Sequence, residues 1–178
     1  MVIWLTGLSG SGKSSLAAAL HALLKPERPS LVRLDGDEIS AVFGGDLGYT
    51  EPERFRQIQR IQRLAKMLAD QKLDVLVAAL YAHPDLLAWN RANLPGYFEV
   101  YLEAEVDFLA GRETKGLYAR ARRGEIANVV GIDIPWHAPA KADLVVESAR
   151  APAPDVVARR VRDALPGMFP AAKRAMSA

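Results

Sequence analysis

The chain has 178 residues, half of them hydrophobic and a quarter charged, and its 23 basic and 21 acidic side chains leave a net charge of +2. That length suits one domain with a substantial core, and the even mixture of charge gives no nucleic-acid footprint. With no cysteine, disulfides and thiolate metal sites are excluded, so a cytoplasmic protein is expected.

The apolar start at residues 2–5 meets a glycine at once and lacks a basic leader, which predicts a buried first strand rather than a signal peptide or membrane span. Brief apolar runs at 30–34, 75–80, 98–102 and 144–146, mostly β-branched or aromatic, predict four more strands. Between them, Leu16, Leu20, Leu23 and Leu24 recur at helical spacing, as do Ile58, Ile61, Leu64, Ala65 and Leu68. Val157, Val161, Ala164 and Leu165 repeat the pattern after a Pro-containing turn at 151–154. Alternation of strand and helix implies right-handed crossovers and a mainly parallel sheet of five or more strands, an α/β three-layer domain with ligands at the carboxyl ends of its strands. One domain is expected over 1–170, with a fraying tail at 171–178.

Gly7-Leu8-Ser9-Gly10-Ser11-Gly12-Lys13-Ser14 follows the first strand and precedes the first amphipathic helix, the context in which GxxxxGK[ST] binds phosphates. Gly7, Ser9, Gly10, Ser11, Gly12 and Ser15 are expected to surround a triphosphate with backbone N–H groups at a helix N-terminus. Lys13 is expected on the β- and γ-phosphates and the Ser14 hydroxyl on magnesium, so ATP and Mg²⁺ are the cofactors of a P-loop kinase. The second strand runs into Asp35-Gly36-Asp37, which puts two carboxylates beside that site. Asp37 is the candidate acceptor of a hydroxyl proton and Asp35 the candidate support of the metal shell, with Gly36 permitting a tight turn between them.

Five segments in order, WLTGLSGSGKSSLA, LDGDEI, DLGYTEPER, KGLYARARRGEI and GIDIPWHAP, resemble the adenylylsulfate kinase (APS kinase) family over residues 2–147. The resemblance implies a P-loop α/β homodimer that uses MgATP to phosphorylate the 3′-hydroxyl of adenosine 5′-phosphosulfate. It further implies that Asp37 faces the acceptor, that Tyr49 stacks on its base, and that Arg54, Gln57, Leu117 and Ile132 contact it. The segment 112–118 is similar to the family's lid, a lid spanning about 112–130. Lys115 would there stabilise the transferring group, and Arg112 would lie near the ATP base. Arg122 and Arg123 read as a solvated basic face.

Departures fall on the acceptor side. Ser40 stands where the family commonly has Arg, Gln57 where it has Asn, and Val129 where it has an aromatic ring, while residues 78–84 read AALYAHP in place of an SFISPY-like run. A paralogue acting on another nucleotide-activated small anion, such as a pyrimidine-linked one, is therefore the alternative, with Tyr81 and His83 as new substrate contacts. A non-catalytic ATP sensor is a third possibility, against which the joint presence of Lys13, Ser14, Asp37 and Lys115 argues. Neither nucleic acid nor membrane is expected as a partner.

Overall fold

In the computed structural model, which describes residues 1–112 and 116–166, twelve elements follow in order. They are β1 (Val2–Thr6), α1 (Lys13–Leu24), β2 (Leu31–Asp35), α2 (Gly36–Val42), α3 (Glu51–Asp70), β3 (Asp74–Ala79) and α4 (Pro84–Asn93), then β4 (Tyr97–Glu103), α5 (Val106–Arg112), α6 (Leu117–Arg122), β5 (Leu144–Glu147) and α7 (Pro154–Ala164). The strands pair in the order β2-β3-β1-β4-β5, all in parallel. Each predicted strand is present to within a residue or so at either end.

Strand period 2 explains the three layers. Along β1, Val2 and Trp4 enter the core beneath α3, whereas Ile3 and Leu5 enter the core beneath α1 and α7. The same alternation along β3 sends Val75, Val77 and Ala79 to the first layer and Leu76 and Ala78 to the second. Both faces of these strands are covered, so they read as continuous apolar runs. Leu16, Ala17, Leu20 and Leu24 of α1 complete the second layer against Val157, Ala158 and Val161 of α7. Ile58, Ile61, Ala65 and Ala69 of α3 cover the first.

The longest helix has an entry that its sequence specifies. Thr50 N–H and Oγ1 both donate to Glu53 Oε2, at 3.1 and 2.5 Å, and Pro52 sits in the first turn, so α3 starts at a fixed point at the mouth of the cavity described below. Four helices were not apparent from periodicity, among them α5, which buries only Leu109, and α6, which buries only Tyr118. Helix α2 buries only Ile39, and α4 buries only Leu86 and Asn90.

A polar chain locks α4 to the sheet. Gln62 Nε2 donates to the Leu86 carbonyl and to Asn90 Oδ1, each at 2.8 Å, Asn90 Nδ2 to the Tyr97 hydroxyl at 3.2 Å, and that hydroxyl to Glu99 Oε2 at 3.1 Å. Arg91 Nη2 reaches the same carboxylate at 3.3 Å, yet Glu99 Oε1 is buried with no hydrogen-bond partner among the described residues. Burial, above all, raises the Glu99 pKa; Asp143 adds to the rise, while Tyr97 and Arg91 oppose it. Because the folded pKa exceeds the unfolded one, the stability Glu99 contributes is complete below the ordinary carboxylate range and is lost as pH rises through its folded value. Glu99→Gln should therefore gain stability relative to the native protein between pH 4.5 and pH 7, read as a difference in thermal midpoint that grows in the mutant's favour. A difference that shrinks over that interval would mean that Arg91 outweighs the burial.

Candidate active site

The carboxyl ends of β1, β2 and β3 open into a cavity of about 850 Å³. Its donor-side wall is the loop between β1 and α1, with Ser9, Gly10, Gly12, Lys13, Ser14 and Ser15 on the lining. Gly12 has φ +98°, a left-handed conformation that lets the chain turn directly into α1, while the Ser11 amide, expected to face a phosphate, donates to the Leu8 carbonyl at 3.2 Å. Gly7 and Ser11 build the loop from below and do not line the cavity. A Cβ on Gly7 would stand 2.6 Å from the Leu102 carbonyl oxygen and 2.7 Å from Ser11 Oγ, so only glycine lets the loop rest on β4. Ser11 Oγ is buried and finds no hydrogen-bond partner among the described residues, which leaves a polar atom beneath the cradle.

Lys13 folds back over this loop, its Nζ donating to the carbonyls of Gly7 and Leu8, both at 2.8 Å. Desolvation pushes the ammonium down to about 8, although Asp37 and Asp35 pull in the opposite direction. The ammonium is thus held on the loop itself, beside the N-terminus of α1.

Asp35 closes β2 and caps α2. Its Oδ1 accepts from the Asp37 amide at 3.0 Å, and its Oδ2 accepts from Ser14 Oγ at 3.0 Å. The two residues expected to serve a metal therefore lie side by side. Gly36 corrects the expected tight turn: it is the first residue of α2, without a positive φ, and its room is used only for contact with the Ala78 carbonyl and Ile61. Asp37 is the second residue of that helix, exposed, on the same cavity.

The acceptor-side wall comes from α2, the loop before α3, α3 itself and the end of β3. Ser40, Tyr49, Arg54, Gln57 and Tyr81 all line it. Gln57 Nε2 donates to the Gly36 carbonyl at 3.3 Å, which ties α3 to the turn bearing Asp37. Arg54 donates from Nε to the Tyr49 carbonyl at 2.9 Å and from Nη2 to the Asn128 carbonyl at 2.6 Å. Burial lowers its pKa, opposed by Tyr49, Asp133, Tyr81 and Asp37, which marks it as a half-buried cation among facing anions and phenols. The Tyr49 ring is 71% exposed, with the Arg54 guanidinium 5.4 Å from its centroid, and so offers an open π-face.

Arg112 reaches the cavity from the end of α5. Lys115 lies outside the described residues, as does the tail at 171–178. Leu117 and Ile132 do not line this cavity: Leu117 packs against the core, and Ile132 lines a separate pocket with Tyr101 and Trp136. Val129, expected on the acceptor wall, is buried in the core beside Val130 and Ile134. Two anchors escaped the sequence. Tyr118, fully buried, donates its hydroxyl to the Ser9 carbonyl at 2.9 Å and so ties α6 to the phosphate loop. Asp133 accepts from the amides of Asn128 and Val129, which sets the loop whose carbonyl holds Arg54. Arg122 and Arg123 pair with Asp107 and Glu125 at the exposed surface, the solvated face expected of them.

No helix among the described residues is long and apolar enough to cross a membrane. Nor do the described residues hold three or more His, Cys, Asp or Glu side chains grouped as a metal cage. A hydroxyl beside a single carboxylate fits Mg²⁺, which keeps water and phosphate oxygens as most of its ligands.

Comparison with known proteins agrees with this geometry. The model of the family described as adenylylsulphate kinase matches residues 1–147. An adenylyl-sulfate kinase of Paraburkholderia xenovorans is 42% identical over 159 residues, 89% of each chain. A cytidine diphosphoramidate kinase of Campylobacter jejuni is 38% identical over 83% of this chain and 86% of its own. Among solved structures, the APS kinase of Mycobacterium tuberculosis in complex with AMPPNP and APS superposes with a TM-score of 0.81 at 35% identity, covering 92% of this chain and 96% of that one. The fold and most of the chain are thus shared with enzymes of one kind, and the chain belongs to the adenylylsulphate kinase family.

Proposed function

We propose that the protein transfers the γ-phosphoryl group of ATP to the 3′-hydroxyl of adenosine 5′-phosphosulfate. The observation that carries this reading is the sharing of one cavity by the phosphate loop, Asp37 and the acceptor-side residues Tyr49, Arg54 and Gln57. Lys13 and the loop amides hold the donor phosphates, and Arg112 lies against the donor base. Asp37 takes the proton of the acceptor hydroxyl as its oxygen forms the new bond to phosphorus, and ADP departs with the electrons of the broken P–O bond. Ser14 and Asp35 would hold Mg²⁺, which when bound offsets the charge of the phosphates. Tyr49 stacks on the acceptor base, Arg54 pairs with its anionic group, and Gln57 orients it. Lys115, Leu117 and Ile132 belong to the lid side of the same reading and contact the acceptor when that side closes over the cavity. Homodimeric assembly and a cytoplasmic location are part of it as well.

A second reading has its own support. The relative named cytidine diphosphoramidate kinase is nearly as similar as the adenylyl-sulfate kinases, and Ser40 brings no charge to the acceptor wall. A pyrimidine nucleotide-linked acceptor is the substrate class it implies. Purified protein with MgATP should convert adenosine 5′-phosphosulfate at least tenfold more efficiently, in kcat/KM, than cytidine- or uridine-linked phosphoanions, as measured by coupled ADP release and mass spectrometry. Preference for a pyrimidine-linked acceptor would replace the first reading by the second, and nucleotide binding without any acceptor-dependent turnover would leave a sensor.

A further inference from the structure

Tyr81 lies just beyond the end of β3, where the sheet delivers the floor of the acceptor cavity. It is 3% exposed, and that small remaining surface lines the cavity. Its hydroxyl donates to Glu51 Oε1 at 2.7 Å. Glu51 opens α3, the helix whose first turn also carries Arg54 and whose preceding residues include Tyr49. One hydrogen bond therefore ties the segment after β3 to the start of α3, with Tyr81 on the cavity lining and Glu51 behind it.

The ring is held from its other side too. His83 lies 6.5 Å from it, centroid to centroid, and is itself packed edge-on against Phe55 at 5.3 Å and His137 at 5.2 Å. His83 Nδ1 accepts from the Asp85 amide at 3.2 Å as the cap of α4, so the histidine is fixed by the backbone. Tyr81 thus cannot tilt without breaking either the Glu51 bond or this stack. A phenol held in this way lines the same cavity as Arg54 and is bonded to the first turn of the helix that carries it.

We propose that Tyr81, braced by Glu51, is a specificity-determining residue: its ring sets how deeply the acceptor nucleotide seats, and the brace ties that ring to the first turn of α3, which carries Arg54. The donor side of the cavity does not depend on the pair, because Lys13, Ser14 and Asp35 are positioned by β1, β2 and their own hydrogen bonds. Acceptor binding should respond to loss of the brace while donor binding stays unchanged. This inference rests on the proposed function for the identity of the acceptor, and its test separates the two.

Steady-state kinetics would be measured for the wild type, Tyr81→Phe, Glu51→Gln, Glu51→Ala and the Tyr81→Phe/Glu51→Ala double variant, with adenosine-, cytidine- and uridine-linked phosphoanions. On whichever acceptor the wild type turns over best, Tyr81→Phe and Glu51→Ala should each raise acceptor KM about five- to tenfold, with KM for ATP within about twofold of the wild type. Glu51→Gln keeps an acceptor oxygen and should restore most of the affinity lost in Glu51→Ala. The double variant should be no worse than either single one, since one bond is lost in all three. An unchanged acceptor KM in both single variants would overturn the proposal, and so would a parallel rise in KM for ATP, the mark of a merely structural pair. A wild type that prefers a pyrimidine-linked acceptor but shows the same KM pattern would sink adenosine 5′-phosphosulfate as substrate and leave the role of Tyr81 standing; no turnover of any acceptor would sink both.

Discussion

Asp37→Ala should lower kcat for acceptor phosphorylation about 100- to 10,000-fold while leaving ATP affinity within about twofold of the wild type. The asymmetry follows from where the carboxylate stands. Asp37 is exposed on the cavity as the second residue of α2, and its carboxylate makes no hydrogen bond or ion pair among the described residues; the cap of that helix is made by Asp35, which accepts from the Asp37 backbone amide. Removal of the Asp37 carboxylate therefore leaves α2, Asp35 and the Ser14 contact intact, so a large loss of turnover cannot be assigned to a damaged donor site. The carboxylate also favours the Lys13 ammonium, an effect on the donor site that its loss would remove while Asp35 keeps its own. Single-turnover rates with saturating ATP, together with ATP titration by calorimetry, would separate the two effects. Wild-type turnover in the variant would refute the base, and a loss of ATP binding equal to the loss of rate would make Asp37 a donor-site residue.

The fold could be read from this sequence because its sheet is buried on both faces. Runs such as 75–80 and 98–102 are apolar at nearly every position, and only a strand covered twice permits that. Helices α1, α3 and α7 were legible through leucine and isoleucine at helical spacing, whereas α2 and α4 touch the core through one or two side chains and leave no period to read. In α2 the local chemistry also misleads: Asp-Gly-Asp suggests a turn, but the Asp35 carboxylate spends its hydrogen bond on capping, and the glycine becomes helical. The donor half of the site was legible because it is contiguous, residues 7–15 forming the cradle from one stretch of chain. The acceptor half is assembled across long separations. Arg54 is held by a carbonyl 74 residues away and Tyr81 by a carboxylate 30 residues away. No local pattern encodes such partners. Val129 shows the limit in the other direction, since a position aligned with an aromatic wall packs here into the core and leaves the floor of the cavity to Tyr81.

Lys13→Ala should reduce kcat/KM for ATP about 100- to 1,000-fold, with weaker ATP binding as well as slower turnover, in contrast to the Asp37 variant. Lys13 is the cation whose fixed partners are carbonyl dipoles of the phosphate loop rather than a carboxylate: Gly7 and Leu8 each accept from it at 2.8 Å. Its burial is costly enough to bring the ammonium down to about 8, a cost that a salt bridge would have offset and that phosphate oxygens are suited to offset. Alanine removes that charge and leaves the two carbonyls without their donor at the place where the phosphates must approach, so ground state and transition state both suffer. Lys13→Arg is the informative companion. Arginine keeps the charge, but a planar guanidinium cannot sit between two carbonyls that a single ammonium bridges, so it should recover less than about a tenth of the lost kcat/KM. Full recovery by arginine would mean that charge alone matters and that the geometry of the bridge is incidental. Unchanged ATP affinity in Lys13→Ala would mean that the loop amides bind the phosphates unaided, and that the lysine acts only once the γ-phosphoryl group begins to move.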